Sequence, residues 1–239
     1  MDRLKNLLVN GCSFLNHRHT DEIDLYLSPA ELVKEHGKFK HMDNFARGGR
    51  GNDRILATTI THFEMFPERK KDTFVLIGWS SALRMDYPSR NDFKPMPPQD
   101  ETWATIKMAM PEFIDAFDKS KAMKQPINYE TWEVQRWYQN TLGLQNYLKV
   151  NNIRYVMYNA LEPALKVNRN KKQDHNFLRK AVDQDRFFKL DYSQYQYCAD
   201  PDTPGEFISA KDHHPNEIGH RSWTKEVTDF IDQNKLYGD

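Results

Sequence analysis

The chain has 239 residues, 38% of them hydrophobic and 28% charged, with 34 Lys and Arg against 34 Asp and Glu. That length can bury a sizeable core without disulfides or metal, and the balanced charge, with no long basic run, argues against nucleic acid held by bulk electrostatics. Two cysteines, Cys12 and Cys198, make no disulfide framework and fit a reducing compartment.

Leu7-Leu8-Val9 reads as a buried strand ending at Asn10-Gly11. Ser28-Pro29-Ala30-Glu31 is a capping box with proline in the first helical turn, and Gly37 is a helix stop. Asn52 then caps a helix whose Leu56, Ile60, Phe63 and Phe66 share one face, closed by Pro67. Thr73–Ile77 is the clearest strand, bounded by Asp72 and Gly78. Residues 84–102, with Pro88, Pro95, Pro97 and Pro98, read as an irregular loop, either functional or a solvated excursion. Residues 101–150 read as two helices that include Trp103, Trp132 and Trp137.

Further strands are expected at Arg154–Tyr158 and, after a short helical pattern, at Arg186–Leu190. The final helix starts near Pro215-Asn216 and carries Ile218, Trp223, Val227, Phe230 and Ile231. Strands alternating with helices predict a mostly parallel sheet covered on both faces. The chain holds ten glycines, about 4% where roughly 7% is usual, so clustered glycines are informative.

In parallel sheets the ligand site lies beyond the carboxyl ends of the strands. Four segments fall there. Gly11-Cys12-Ser13-Phe14 puts a serine on a tight turn after a buried strand, where it is either a nucleophile or a cap of the next segment. In Asn44–Asp53, three glycines (Gly48, Gly49, Gly51) lead into a helix and free backbone N–H groups for an anion or oxyanion; the alternative is a flexible turn. Gly78-Trp79-Ser80-Ser81 follows the best strand, with Arg84 about one turn on. Asp212-His213-His214-Pro215 sets a carboxylate beside histidine, the pairing that orients a general base, or else a solvated pair before a helix.

These blocks, in this order and over nearly the whole chain, resemble the SGNH hydrolase superfamily, the GDSL-type lipases and esterases. The resemblance implies a flavodoxin-like three-layer α/β/α sandwich with a mostly parallel sheet of about five strands. It assigns Ser13 as nucleophile and oxyanion donor through its backbone N–H, Gly49 as a second N–H donor, and His214 as base. The family's third block carries an asparagine whose side chain donates to the oxyanion. Here Ser80 stands in that place, with Ser80 or Arg84 as substitute donor. The family's last block spaces aspartate and histidine as D-x-x-H, whereas Asp212 lies two residues before His214. Asp212 could therefore serve His213 or His214, with Asp200 or Asp202 as other orienting carboxylates.

Cys12 as nucleophile and a metal held by His17, His19, His213 and His214 are rival chemistries; the favoured reading has no metal and no cofactor. The expectation is one domain over residues 1–239 with a helical insertion at about 85–150 forming a cap or rim. It is a serine esterase acting on a small or glycan ester, with no nucleic-acid or membrane partner and its oligomeric state left open. Rival functions are a sugar O-acyltransferase and a fold retained as a binding module, with Trp79, Trp103, Trp132 and Trp137 as a sugar-stacking surface. No stretch reaches the roughly 18 apolar residues of a membrane span, and the N-terminal apolar run is too short for a signal peptide, so a cytoplasmic location is expected.

Overall fold

The computed structural model describes residues 4–16, 27–88, 103–107, 129–162 and 176–238. Five strands form the main sheet: β1 (Asn6–Gly11), β2 (His41–Asn44), β3 (Thr73–Trp79), β6 (Arg154–Asn159) and β7 (Phe187–Ser193). Their order is β2-β1-β3-β6-β7, and every neighbouring pair is parallel. The chain runs outward from β1 to β2, returns to β3 and continues to the other edge. The crevice between β1 and β3, where the direction of winding reverses, is where such sheets bind ligands.

Alternation along the central strands explains the layers. Leu7, Val9, Phe74 and Leu76 point to one face, and α1 (Pro29–Gly37) and α6 (Glu217–Gln233) cover them with Ala30, Val33, Trp223, Val227 and Ile231. Leu8, Val75 and Ile77 point to the other, under α2 (Asn52–Met65) and α3 (Tyr129–Val150), which supply Ile55, Phe63, Val134, Trp137 and Leu148. A strand buried on both faces reads as a continuous apolar run, which is why β1 and β3 are visible in the sequence. The fold is thus the expected three-layer sandwich. Two short helices, α4 (Asn176–Ala181) and α5 (Gln194–Ala199), flank β7.

Local signals account for the helix ends. Ser28 and Glu31 form the reciprocal capping box: Glu31 accepts from the Ser28 N–H at 2.9 Å, and the Ser28 hydroxyl accepts from Ala30 N. Gly37 is the last helical residue, and the left-handed residue that ends the helix is Lys38, φ 52°. Asn216 caps α6 by accepting from Gly219 N at 2.9 Å.

The stretch 85–150 departs from expectation. β4 (Arg84–Pro88) pairs antiparallel with β5 (Trp103–Lys107), so the first residues of the anticipated loop are a strand and Trp103 lies in a strand, not a helix. The intervening residues 89–102, which hold most of the prolines, and residues 108–128 lie outside the described residues. α3 is a layer helix packed on α2 and β6 rather than a cap. Trp79 and Trp137 are buried, edge to face, with ring centroids 6.5 Å apart, so they build the core and not a stacking surface.

Candidate active site

At the carboxyl ends of β1 and β3, Gly11 lies opposite Gly78. A Cβ on Gly11 would stand 2.7 Å from the Gly78 carbonyl oxygen, and one on Gly78 would stand 2.1 Å from Leu15 Cδ1. Two glycines therefore let the chain fold back over the strand ends as a short 3-10 turn, Ser13–Leu15. Within it Leu15 and Phe14 go into the core and Ser13 stays half-exposed.

Ser13 Oγ is 2.8 Å from His214 Nε2. His214 Nδ1 is 2.5 Å from Asp212 Oδ1, which also accepts from the His214 backbone N–H at 3.1 Å. An ionised carboxylate only accepts, so Nδ1 carries the proton and Nε2 is left to accept from the serine hydroxyl. The two-residue spacing of Asp212 and His214 works because Asp212 bonds the main chain two residues on, a turn typical of aspartate. The Asp212 backbone is held in turn by Ser209 Oγ at 3.0 Å, and an isolated bridge from Phe207 to Pro215 closes the loop. The Phe14 ring backs the imidazole, centroid to centroid 5.3 Å.

His213 does not share this arrangement: its Nε2 lies 3.1 Å from the Ala210 carbonyl and its ring against Phe207. Asp200 instead accepts from the Tyr192 hydroxyl at 3.1 Å and from the Asp202 N–H at 3.0 Å. Cys12 is fully buried, and burial pushes its thiol above the ordinary value, which disfavours the thiolate a nucleophile needs. His17 and His19 lie outside the described residues, among which no group of three or more His, Cys, Asp or Glu gathers as a metal site.

The glycine-rich loop passes beside the serine. Asn44 at the end of β2 ties it down, donating to the Leu15 carbonyl at 3.1 Å and accepting from Ala46 N at 2.9 Å. Arg47 N donates to the Gly11 carbonyl at 3.3 Å. Gly49 is exposed and has φ +78°, a left-handed conformation that glycine adopts without steric cost. Neither the Ser13 nor the Gly49 N–H has an acceptor among the described residues.

Ser80 is 1% exposed, and its hydroxyl accepts from Arg84 Nη1 at 3.0 Å. The same Nη1 lies 3.5 Å from the Arg50 carbonyl of the glycine-rich loop, so Arg84 bridges the second and third blocks. Asn52, which the sequence suggests as the cap of α2, does something else. Its side chain accepts from Ser80 N at 2.8 Å and donates to the Ser80 and Ser81 carbonyls, tying α2 to the end of β3.

Sequence reading also missed Asn10. Wholly buried, it donates to the Ile55 carbonyl and to the Thr58 and Thr59 hydroxyls at 2.8–3.1 Å, and its Oδ1 accepts from Gly11 N at 3.0 Å. An asparagine at the end of an apolar run followed by glycine signals a turn. Only the fold reveals three donations into α2.

Among the described residues, no helix is long and apolar enough to cross a membrane. Two solved structures share the fold over nearly their whole length. The lipase Lip_vut3 from a goat rumen metagenome aligns with a TM-score of 0.53 at 12% identity, covering 98% of each chain. TesA aligns with a TM-score of 0.51 at 11% identity, covering 96% of this chain and 99% of its own. No curated protein matches the sequence. The model of a family of unknown function, DUF6071, matches residues 29–237, from α1 through the Asp212–His214 pair to the chain's last turn, and the chain belongs to that family.

Proposed function

We propose that the protein is a serine hydrolase of esters, of the SGNH type, acting on a small or carbohydrate-linked ester. The observation that carries the proposal is the continuous relay from Ser13 Oγ through His214 to Asp212 at the strand ends. The lipase named among the similar folds is consistent with it.

In this reading Ser13 Oγ attacks the ester carbonyl while His214 Nε2 takes its proton, and the carbonyl π pair moves onto oxygen. The Ser13 and Gly49 N–H groups hold the resulting oxyanion. Collapse of the tetrahedral intermediate expels the alkoxide, which leaves as alcohol with the proton from His214. Water then attacks the acyl carbonyl as it loses a proton to His214, and the second collapse breaks the Oγ–acyl bond, frees the acid and returns that proton from His214 to Ser13 Oγ. Asp212 keeps the proton on Nδ1 and stabilises the imidazolium formed at each stage. Arg84, rather than Ser80, is the reading's third source of positive potential, since the Ser80 hydroxyl is buried and already engaged.

The test is hydrolysis of p-nitrophenyl acetate by purified parent and Ser13→Ala, with fluorophosphonate labelling in parallel. Parent turnover, its loss in Ser13→Ala and label on Ser13 are expected. Equal rates in the two proteins sink the proposal. The buried hydroxyl at the family's asparagine position favours one second reading, a binding module on the same fold. A parent that takes no label would support it.

A further inference from the structure

The β4–β5 hairpin lies outside the main sheet, yet one of its side chains reaches the glycine-rich loop. Asp86, in the middle of β4, has a fully buried carboxylate. Its Oδ2 accepts from the Gly51 N–H at 2.7 Å and from the Arg54 N–H at 3.2 Å. Its Oδ1 faces the Thr105 hydroxyl of β5 and, at 3.4 Å, Arg54 Nη2. The residue preceding α2 is Gly51, which has no side chain to cap the helix. The orphan N–H groups at a helix start need an acceptor, and an anion there also meets the positive end of the helix dipole. Asp86 supplies that acceptor from a strand 35 positions along the chain.

The fit is close on the loop side. A Cβ on Gly51 would lie 2.8 Å from Asp86 Oδ2 and 3.0 Å from the Arg84 carbonyl, so the carboxylate and β4 fill the space a side chain would need. Asp86 N in turn donates to Asp53 Oδ2 at 3.0 Å, making the contact reciprocal. Asn44 anchors the other end of the loop. Between the two anchors Gly48 and Gly49 are exposed, and nothing lies within 4 Å of where their Cβ atoms would be.

We infer that Asp86 is a positioning residue for the oxyanion loop: by fixing Gly51 it sets where the Gly49 N–H points, without itself touching substrate. The inference rests on the proposed ester hydrolysis for its kinetic consequence, but not for its structural one. An N–H held about an ångström off the developing oxyanion forfeits much of a donor typically worth about 10²–10³ in turnover. Because the loss is confined to the transition state, it falls on kcat and spares KM.

Two variants separate positioning from general support of the hairpin. Asp86→Asn removes the charge and one acceptor at the loop. Thr105→Val removes a bond to the far oxygen of the same carboxylate and leaves Gly51 alone. With p-nitrophenyl acetate, Asp86→Asn is expected to lower kcat about ten- to a hundredfold with KM within twofold, and Thr105→Val to leave kcat within twofold even where its melting temperature falls as far. In ¹⁵N-labelled protein the Gly51 and Gly49 amide resonances should both move in Asp86→Asn and hold in Thr105→Val. A kcat for Asp86→Asn within twofold of parent, equal kinetic losses in the two variants, or a Gly49 amide that stays in place while Gly51 moves would each overturn the inference. If the parent neither hydrolyses the ester nor takes a fluorophosphonate on Ser13, the functional proposal fails, and the Gly49 resonance alone decides the positioning claim.

Discussion

Asp212 accepts both the ring Nδ1–H and the backbone N–H of His214, so one carboxylate fixes the tautomer of the imidazole and the turn that presents it. Both bonds fall on one oxygen, so in Asp212→Asn an amide NH2 turned toward the ring donates to Nδ1 at the expense of the turn's N–H bond, leaving Nε2 protonated and unable to accept from Ser13. Such a tautomer reversal costs on the order of 10³–10⁴ in kcat. The expected outcome is that loss in p-nitrophenyl acetate turnover with an unchanged circular dichroism spectrum; a kcat within tenfold of parent would count against Asp212 as the orienting group. Gly49 makes a second residue-level case. A Cβ there meets nothing, so Gly49→Ala carries no clash, only the roughly 1 kcal/mol or more of an L-residue held at φ +78°. The loop can relax that strain by turning its N–H away. Gly49→Ala should therefore lose turnover while its urea midpoint moves little, and a variant as active as the parent would remove Gly49 from the oxyanion site.

At the scale of elements, the site depends on how closely the ends of β1 and β3 approach. In Gly78→Ala the new methyl would meet the side chain of Leu15, which is fully buried. Overpacking of this kind costs about 1–3 kcal/mol. Because Leu15 shares its turn with Ser13, the strain also reaches Ser13. Urea unfolding should show that loss, and Leu15→Ala in the same chain should recover part of it, so that the double variant is more stable than additivity predicts. The elements that make this junction were legible in the sequence for a physical reason. Strands buried on both faces are uninterrupted apolar runs, and α1 carries its cap within four residues. The β4–β5 hairpin was not legible: its strands are short, their pairing spans a proline-rich stretch, and Arg84, Asp86 and Thr105 look like loop chemistry until the bonds they make are seen. The cap of α2 was misplaced for the same reason. Local pattern points to Asn52, whereas the acceptor is Asp86, brought by tertiary structure. The 201-residue separation of Ser13 and His214 is beyond any local pattern, and only the ordered resemblance to a known family joined them.

At the scale of the whole molecule, His62 is a buried group able to sense pH. It lies on the inner face of α2, 3% exposed, with its ring against Phe45, Phe63 and Phe66. Burial holds its pKa below the ordinary 6.5, and the nearby Arg69 acts in the same direction. Asp43, 4.0 Å from Nε2, and Glu68 oppose the shift without reversing it. The consequence for stability follows from proton linkage. Above pH 6.5 the histidine is neutral in both states and contributes no pH dependence. As pH falls below 6.5 the unfolded chain takes up a proton that the folded chain refuses, so folding stability declines until the pH reaches the folded pKa. Stability should therefore fall as pH drops below 6.5. His62→Phe replaces the ring by one of similar shape in an aromatic nest and removes the titration. Urea midpoints at pH 7.5, 6.5 and 5.5 should fall for the parent and stay nearly level for His62→Phe. Parallel slopes in the two proteins would mean that another group carries the acid sensitivity. The measurement bears on the site as well, because α2 is the helix that Asn10, Asn52 and Asp86 tie to the ends of β1 and β3 and to the hairpin. Acid that loosens α2 at His62 also loosens the frame behind Ser13. Ester turnover should then drop below pH 6.5 more steeply in the parent than in His62→Phe.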